Sequence, residues 1–515
     1  MIAPPGRRRA RHYDVRMSAL RRLTRARNHA STPLRAAALV LGALLVVVAW
    51  ATASPPGSSP DEDFHLTSIW CPTPLGRACE TKIGPDGYTA VQAPQMVISS
   101  AVCTAFHPEN SGACVKTLTT DPTWSNRLDD GQYPGGFYDV MHVFVGDDVA
   151  RSVTIMRVVN GLLAIVLFAA VTMLSPPEGR RALVYGHLTV AVPMAVYLIA
   201  SVNPSSWAIT GVAVAWAALH GYLTQPERRR RVGLAALAVG AAVVAATARA
   251  DAGAFLGVIA VGAVALHFTA VRGRLRLAAL PTAVAVIGAA GFASASQAGA
   301  VTSGMGGYAQ LGDRALLISN IKGLPQLLLG SQMDPLNWVD TPVPAITWVP
   351  IVLVIAALAF LGLRVTDVPK RVALLGLVGV YAALPLLLLQ LSGAHVGTEV
   401  QARYLTPLLP AIMTAALWDP VRRGIPRLSR PQTVLAYAAM VVGHSAVLHT
   451  QIRRYVTGLD VGGVNLNDAV EWWGSPVSPV ATWILGSFGF AALAVALFLV
   501  ARPERSEPAT VAAHA

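Results

Sequence analysis

Two short stretches carry residue types that can do chemistry. The first, PDEDFH at 60–65, sets Asp61, Glu62 and Asp63 side by side and adds His65. A carboxylate there can take a proton from a hydroxyl nucleophile, or hold a divalent cation beside a phosphate. Asp61 and Glu62 are hard oxygen ligands, so Mg²⁺ or Mn²⁺ would suit them better than zinc. Taken alone, a short acidic stretch is more often simply solvated. The second stretch, EVQARYLTPLLPAI at 399–412, places Arg403 before Tyr404 and ahead of Pro407 and Pro410. A guanidinium can grip a phosphate through two parallel hydrogen bonds. The plainer alternative is an arginine reaching for lipid headgroups. Prolines interrupt a spanning helix, and the carbonyls they free often border cavities.

Further candidates are weaker. Arg157 falls about one turn inside an apolar segment and needs a carboxylate or phosphate partner. Arg249 and Asp251 are spaced to pair with each other. YPGGFYDVMH (133–142) is an aromatic stretch that an interfacial belt alone would explain. SVNPSS (201–206) sets Asn203 in a short turn. His187, His220 and His267 lie within or near apolar segments, where packing is the commoner role. His395 and Glu399 precede Arg403. No phosphate-cradling loop, nucleophile elbow or HExxH pattern is present.

The elements that must hold these residues are membrane helices. Of 515 residues 54% are hydrophobic and 13% charged, about half the charge of a soluble domain. Long apolar runs of this kind are spanning helices, because lipid cannot satisfy bare backbone groups. Twelve spans are expected, near 34–53, 152–174, 182–201, 207–223, 232–248, 252–270, 277–294, 346–363, 372–391, 402–418, 432–450 and 479–501. With the N-terminus in the cytoplasm, the inner segments hold 28 of the 40 Lys and Arg, as insertion requires. The net charge of +13 therefore speaks of topology and not of nucleic acid. The expectation is an all-α polytopic protein of the cell membrane with a basic cytoplasmic tail (1–33), a membrane domain (34–501) and a second tail (502–515). The first span follows too long a basic leader for an ordinary signal peptide, so it is read as an uncleaved anchor. Three extracytoplasmic segments stand out: a large first loop at 54–151, then 295–345 and 451–478. Within the first, VQAPQMVISSAVCTAF (91–106) is expected to lie as a helix on the membrane surface.

All four cysteines, Cys71, Cys79, Cys103 and Cys114, fall in that first loop. An even number confined to one outer loop reads as two disulfides in an oxidising compartment. Three connectivities are open; local pairing, 71–79 and 103–114, is the one expected. Zinc binding would want a CxxC pair, which is missing.

PPGSSPDEDFH, YPGGFYDVMH, RSVTIMRVVNGLL, VPMAVYLIASVNPSS and QARYLTPLLP, in that order, resemble the bacterial membrane family known as domain of unknown function 2142. The likeness runs from about residue 40 to 450. The family's Asp-Glu pair falls on Asp61 and Glu62, its histidine on His65, and its late Arg-Tyr on Arg403 and Tyr404. Asp63 and Ala402 depart from the usual residues, and the four-cysteine loop lies outside the pattern. The family lacks an assigned reaction but is similar to GT-C glycosyltransferases, which use polyprenyl-phosphate sugars on the outer face and carry an essential acid in the first outer loop. The resemblance implies transfer of a sugar from a polyprenyl-phosphate-linked donor to an envelope glycan or glycolipid acceptor. Asp61 or Glu62 would be the catalytic base; His65, Arg403, Tyr404, Arg157 and Arg249 would bind substrate. No cofactor would be required, with Mg²⁺ or Mn²⁺ as an option. The alternatives are a transporter or flippase of lipid-linked sugars, and a non-catalytic assembly protein for envelope glycans.

Overall fold

The structure is a computed structural model that describes residues 37–500 except 86, 297–312, 398, 399, 422–424, 426, 427 and 469. Both expected tails and Glu399 lie outside the described residues.

Every apolar segment read from the sequence contains helix, but the number of spans differs. Among the described residues six helices are long and apolar enough to cross a membrane: Val149–Leu174, Leu275–Ala293, Ala345–Leu363, Val368–Ser392, Arg430–Val456 and Pro479–Leu499. Ala37–Thr52 and Ala250–Leu266 are apolar but shorter. The segment at 182–201 breaks at Pro193 into Pro177–Ala191 and Met194–Ile199. The one at 402–418 is α-helical only over Leu409–Leu417, after two 3-10 turns around Arg403 and Pro407. By length and composition the structure supports about six spans, short of the expected twelve. Apolar composition does not separate a crossing helix from one enclosed by its neighbours. Ser205–Thr224 illustrates this, being buried at every position but Tyr222 and Thr224.

The ends of the helices are set by ordinary capping chemistry. Asp148, Asp313 and Asp367 each accept backbone N–H groups from the first turn that follows them, and Ser429 forms a reciprocal capping box with Gln432. These caps satisfy donors that the helix leaves unpaired. The helices then approach closely through glycine. A Cβ on Gly253 would lie 2.5 Å from the Gly288 carbonyl oxygen, and one on Gly42 would lie 2.8 Å from that of Gly489. The second contact joins the first and last apolar helices. Small residues at such crossings let backbones meet where lipid offers no hydrophobic drive. Outward faces carry Val166, Val286, Leu353, Phe360, Leu375 and Phe488, all more than half exposed. An apolar surface that broad needs a lipid surround.

The described residues between 53 and 148 include a departure from an all-α chain. Strands β1 (Thr81–Ile83), β2 (Thr89–Pro94) and β3 (Pro122–Ser125) form an antiparallel sheet in that order, with Val91 opposite Thr81 on one side and Ser125 on the other. The expected surface helix at 91–106 is therefore strand to Pro94, one helical turn at Gln95–Ile98, and turns beyond. Strand pairing on both sides of β2 satisfies its backbone and outcompetes helix. Leu66, Ile69, Val91, Val97, Phe137, Met141 and Met156 share one core. Disulfides Cys71–Cys79 and Cys103–Cys114 close it locally. A helix unforeseen in the sequence, Arg314–Met333, occupies much of the stretch expected to be loop at 295–345.

A candidate polar site where the helix connections meet

Asp61 stands directly before the helix Glu62–Trp70 with its backbone in the left-handed region, φ 57°, and its side chain does not cap that helix. Its neighbours in the chain diverge from that point. Asp61 turns to Arg403, whose Nη2 donates to Oδ2 at 3.3 Å, and to Arg127, whose Nη2 donates to Oδ1 at 3.0 Å. Asp63 takes two further bonds from Arg127, at 2.8 and 3.3 Å. Asp61 keeps 43% of its side chain exposed. Burial pushes its pKa up, but Arg403, His65 and Arg127 outweigh that and hold it below the ordinary carboxylate value. It is an ionised, reachable carboxylate.

Glu62 points the other way. It is 0% exposed and pairs with Arg157, itself 2% exposed, at 2.9 Å. The same guanidinium donates to the carbonyls of Ala51, Ser54 and Pro55 and to the Ser58 hydroxyl, while Glu62 accepts the Ser59 amide. The pair fastens 51–62 into its fold. A base or a substrate contact at either residue would require that enclosed network to open.

A divalent cation on Asp61 and Glu62 does not fit this donor set. The two carboxylates face apart, and guanidinium groups already occupy their oxygens. Among the described residues no group of three or more His, Cys, Asp or Glu could hold a metal ion.

Arg403 sits on the 3-10 turn Ala402–Tyr404 and is 7% exposed. It donates to the Tyr404 hydroxyl at 3.2 Å and lies 5.1 Å from that ring's centroid. Arg249 approaches the same ring at 5.0 Å while Asp251 holds it through two bonds of 2.9 Å. Tyr404 thus contacts two guanidinium groups and orients both. His65 is buried beneath: its Nδ1 lies 3.0 Å from the Tyr138 hydroxyl, and its ring meets Phe64 and Tyr133 edge-on. Burial, with Arg249, Arg403 and Arg127 nearby, lowers its pKa to about 3 despite the opposing pull of Asp61. It is a neutral support and does not line either cavity described below.

The remaining candidates are structural or peripheral. Asn203 donates to the Pro60 carbonyl, and His187 bonds two backbone carbonyls. His220 and His267 lie 3.1 Å apart beside Trp418, away from the acids. His395 is exposed and meets Ser319.

Two cavities flank the Asp61–Arg403 bridge. One, about 90 Å³, is lined by Arg403, Pro60, Tyr197, Asn337, Asp334 and Gln401 among others. The other is an open groove of about 470 Å³ with Asp61, Asp63, Arg127, Phe106 and Trp338 on its walls. Arg127, Asp334 and Phe106 escaped the sequence reading. Arg127 and Asp334 lie in stretches without a local motif, Phe106 ends the stretch expected only as a surface helix, and Arg127 reaches Asp61 across 66 positions.

A multi-pass membrane protein with a charged site among its helix connections is the class this fold and site define. The chain belongs to the family of predicted membrane proteins DUF2142, whose model matches residues 44–413. A solved structure, that of arabinosyltransferase EmbB from Mycobacterium smegmatis by single-particle cryo-EM, is similar with a TM-score of 0.35 and 11% identity. The likeness covers 90% of this chain and 41% of that one, so the chain spans less than half of that protein's length. No curated protein matches.

Proposed function

We propose that the protein is a glycosyltransferase that moves a sugar from a polyprenyl-phosphate donor to an envelope acceptor at the outer membrane face. The observation that carries this reading is the ion pair between an exposed carboxylate and a buried arginine, set between two cavities. In this reading the chain crosses the membrane twelve times with its N-terminus inside, the shorter helices included, and the site faces outward.

Asp61 is the base. Its carboxylate takes the proton of the acceptor hydroxyl as that oxygen bonds to the anomeric carbon. The bond from that carbon to the phosphate oxygen breaks, and polyprenyl phosphate leaves with the electron pair. One base and one good leaving group give inversion, so the hydrolases' second carboxylate is optional. Arg403 meets the charge that develops on the phosphate. The resting bridge also has a use. A phosphate that engages Arg403 withdraws the countercharge from Asp61 and raises its basicity when substrate is in place. Glu62 and Arg157 hold the segment that presents Asp61, a supporting role in place of the catalytic and binding ones suggested by their positions in the sequence.

The test is transfer from a synthetic polyprenyl-phosphate sugar by purified protein in lipid. Asp61→Asn is expected to reduce the rate by about 10²–10⁴-fold while the chain stays folded. Undiminished transfer by that variant would remove the assignment.

A further inference from the structure

The open groove beside Asp61 is lined by apolar residues, among them Val102, Phe106 and Trp338, and by the charged Asp61, Asp63 and Arg127. Phe106 is 68% exposed, and its ring lies 5.5 Å from that of Trp338, edge to face. Its backbone is held at φ 61°, a region that bulky L-residues adopt only under strain. Among the described residues four non-glycines have positive φ: Asp61, Phe106, Asn337 and Val339. The first two line the groove and the other two line the neighbouring cavity. Among the described residues, left-handed backbone at non-glycine positions is thus gathered around these two spaces.

The loop that presents Phe106 is held firmly. Arg454, wholly buried, donates to the carbonyls of Thr104, His107 and Asn110. The Cys103–Cys114 disulfide closes the loop. Gly57 packs against it so tightly that a Cβ there would lie 2.3 Å from the Ser100 carbonyl carbon. A fixed, exposed aromatic ring is a recognition surface with little ordering cost on binding.

The chemistry of the walls selects among occupants. A carboxylate only accepts hydrogen bonds, and a guanidinium only donates them. Arg127 already bonds Asp61 and Asp63, but each group keeps further hydrogen-bonding capacity that an acyl chain would not use, and a phosphate would be repelled by the two acids. A neutral polyol donates to the acids and accepts from Arg127, while its C–H face rests on the electron-rich face of Phe106.

We infer that this groove is a saccharide subsite, which seats the terminal neutral sugar of the acceptor on Phe106 with its hydroxyls toward Asp61, Asp63 and Arg127. The assignment of that sugar as the acceptor rests on the transferase reading above.

Binding is measured on the full chain in lipid nanodiscs by saturation-transfer NMR, with methyl glycosides and disaccharides of neutral pentoses and hexoses as probes. At least one probe is expected to bind through its ring C–H protons. Phe106→Gly, which removes the ring and relieves the left-handed strain, should weaken that binding about tenfold while leaving the unfolding temperature unchanged or higher. Phe106→Trp should retain it, and Arg127→Gln should weaken it without unfolding the chain. No binding by any probe would overturn the inference, as would affinity unchanged in Phe106→Gly or displacement of the sugar by a headgroup-free alkyl chain. Sugar binding that survives Asp61→Asn yet fails in Phe106→Gly upholds the subsite even if Asp61 proves not to be the base. Transfer that needs Asp61 but keeps its acceptor KM in Phe106→Gly would sink the subsite alone.

Discussion

Asp61 and Glu62 are adjacent in the chain and opposite in environment. One keeps an exposed face between Arg403 and Arg127, while the other is sealed against Arg157. Glu62→Gln leaves a buried guanidinium without its countercharge, a change that costs about 3–5 kcal/mol. Glu62→Gln combined with Arg157→Met should lose less than Arg157→Met alone. Thermal unfolding of the four proteins in one detergent checks this. His65 adds a dependence on pH. Its folded-state pKa of about 3 lies below the ordinary 6.5, so between those values the unfolded chain takes up a proton that the folded one refuses. Stability should therefore fall on acidification through that window, by up to about 1.4 kcal/mol per pH unit. Asp61 acts in the same direction, because its stabilising pair is lost as pH drops through its lowered pKa. His65→Gln, measured by unfolding temperature between pH 7 and pH 4, should flatten the slope.

At the scale of elements, the site residues Asp61, Arg127 and Arg403 sit on connections, which are held in place by side chains from the long helices. The segment 54–60 is tied by Arg157, Tyr197, Asn203 and Trp338, which come from three separate parts of the chain. The loop of Phe106 is tied by Arg454 and by a disulfide of sequence separation 11. Replacing Cys103 and Cys114 together with serine should lower stability by about 2–3 kcal/mol, read as an earlier unfolding transition. Helices were legible as apolar runs, and of three open disulfide connectivities the local pairing that was expected is the one observed. The sheet was not legible, since β2 owes its form to partners ten and thirty-four positions away, Thr81 and Ser125 facing Val91. Nor was Arg314–Met333, whose Lys322 and Pro325 disguise a helix as loop.

For the whole molecule, the apolar outer faces of the long helices require lipid, and the charged site is collected from connections between helices. If those connections face outward as proposed, a reporter inserted near residue 146 should be active outside the cell and one near residue 226 inside. The opposite result would turn the site toward the cytoplasm and remove access to an outer-face donor. A deletion strain should accumulate the polyprenyl-phosphate sugar that the enzyme consumes, visible by mass spectrometry of extracted lipids.

Composition and patterning alone determined that the chain is a multi-pass helical membrane protein; its DUF2142 membership rests on the order of its motifs and on the family match over residues 44–413. They also marked Asp61 and Arg403 as residues to watch, because charge near apolar runs is costly and stands out. Tertiary structure alone decided which acid is reachable, that Arg127 joins it, and where the two cavities open. The reason is physical. Hydropathy is a property of each segment, whereas burial, pairing and strain at Asp61, Glu62 and Phe106 arise only when segments tens to hundreds of residues apart are packed together.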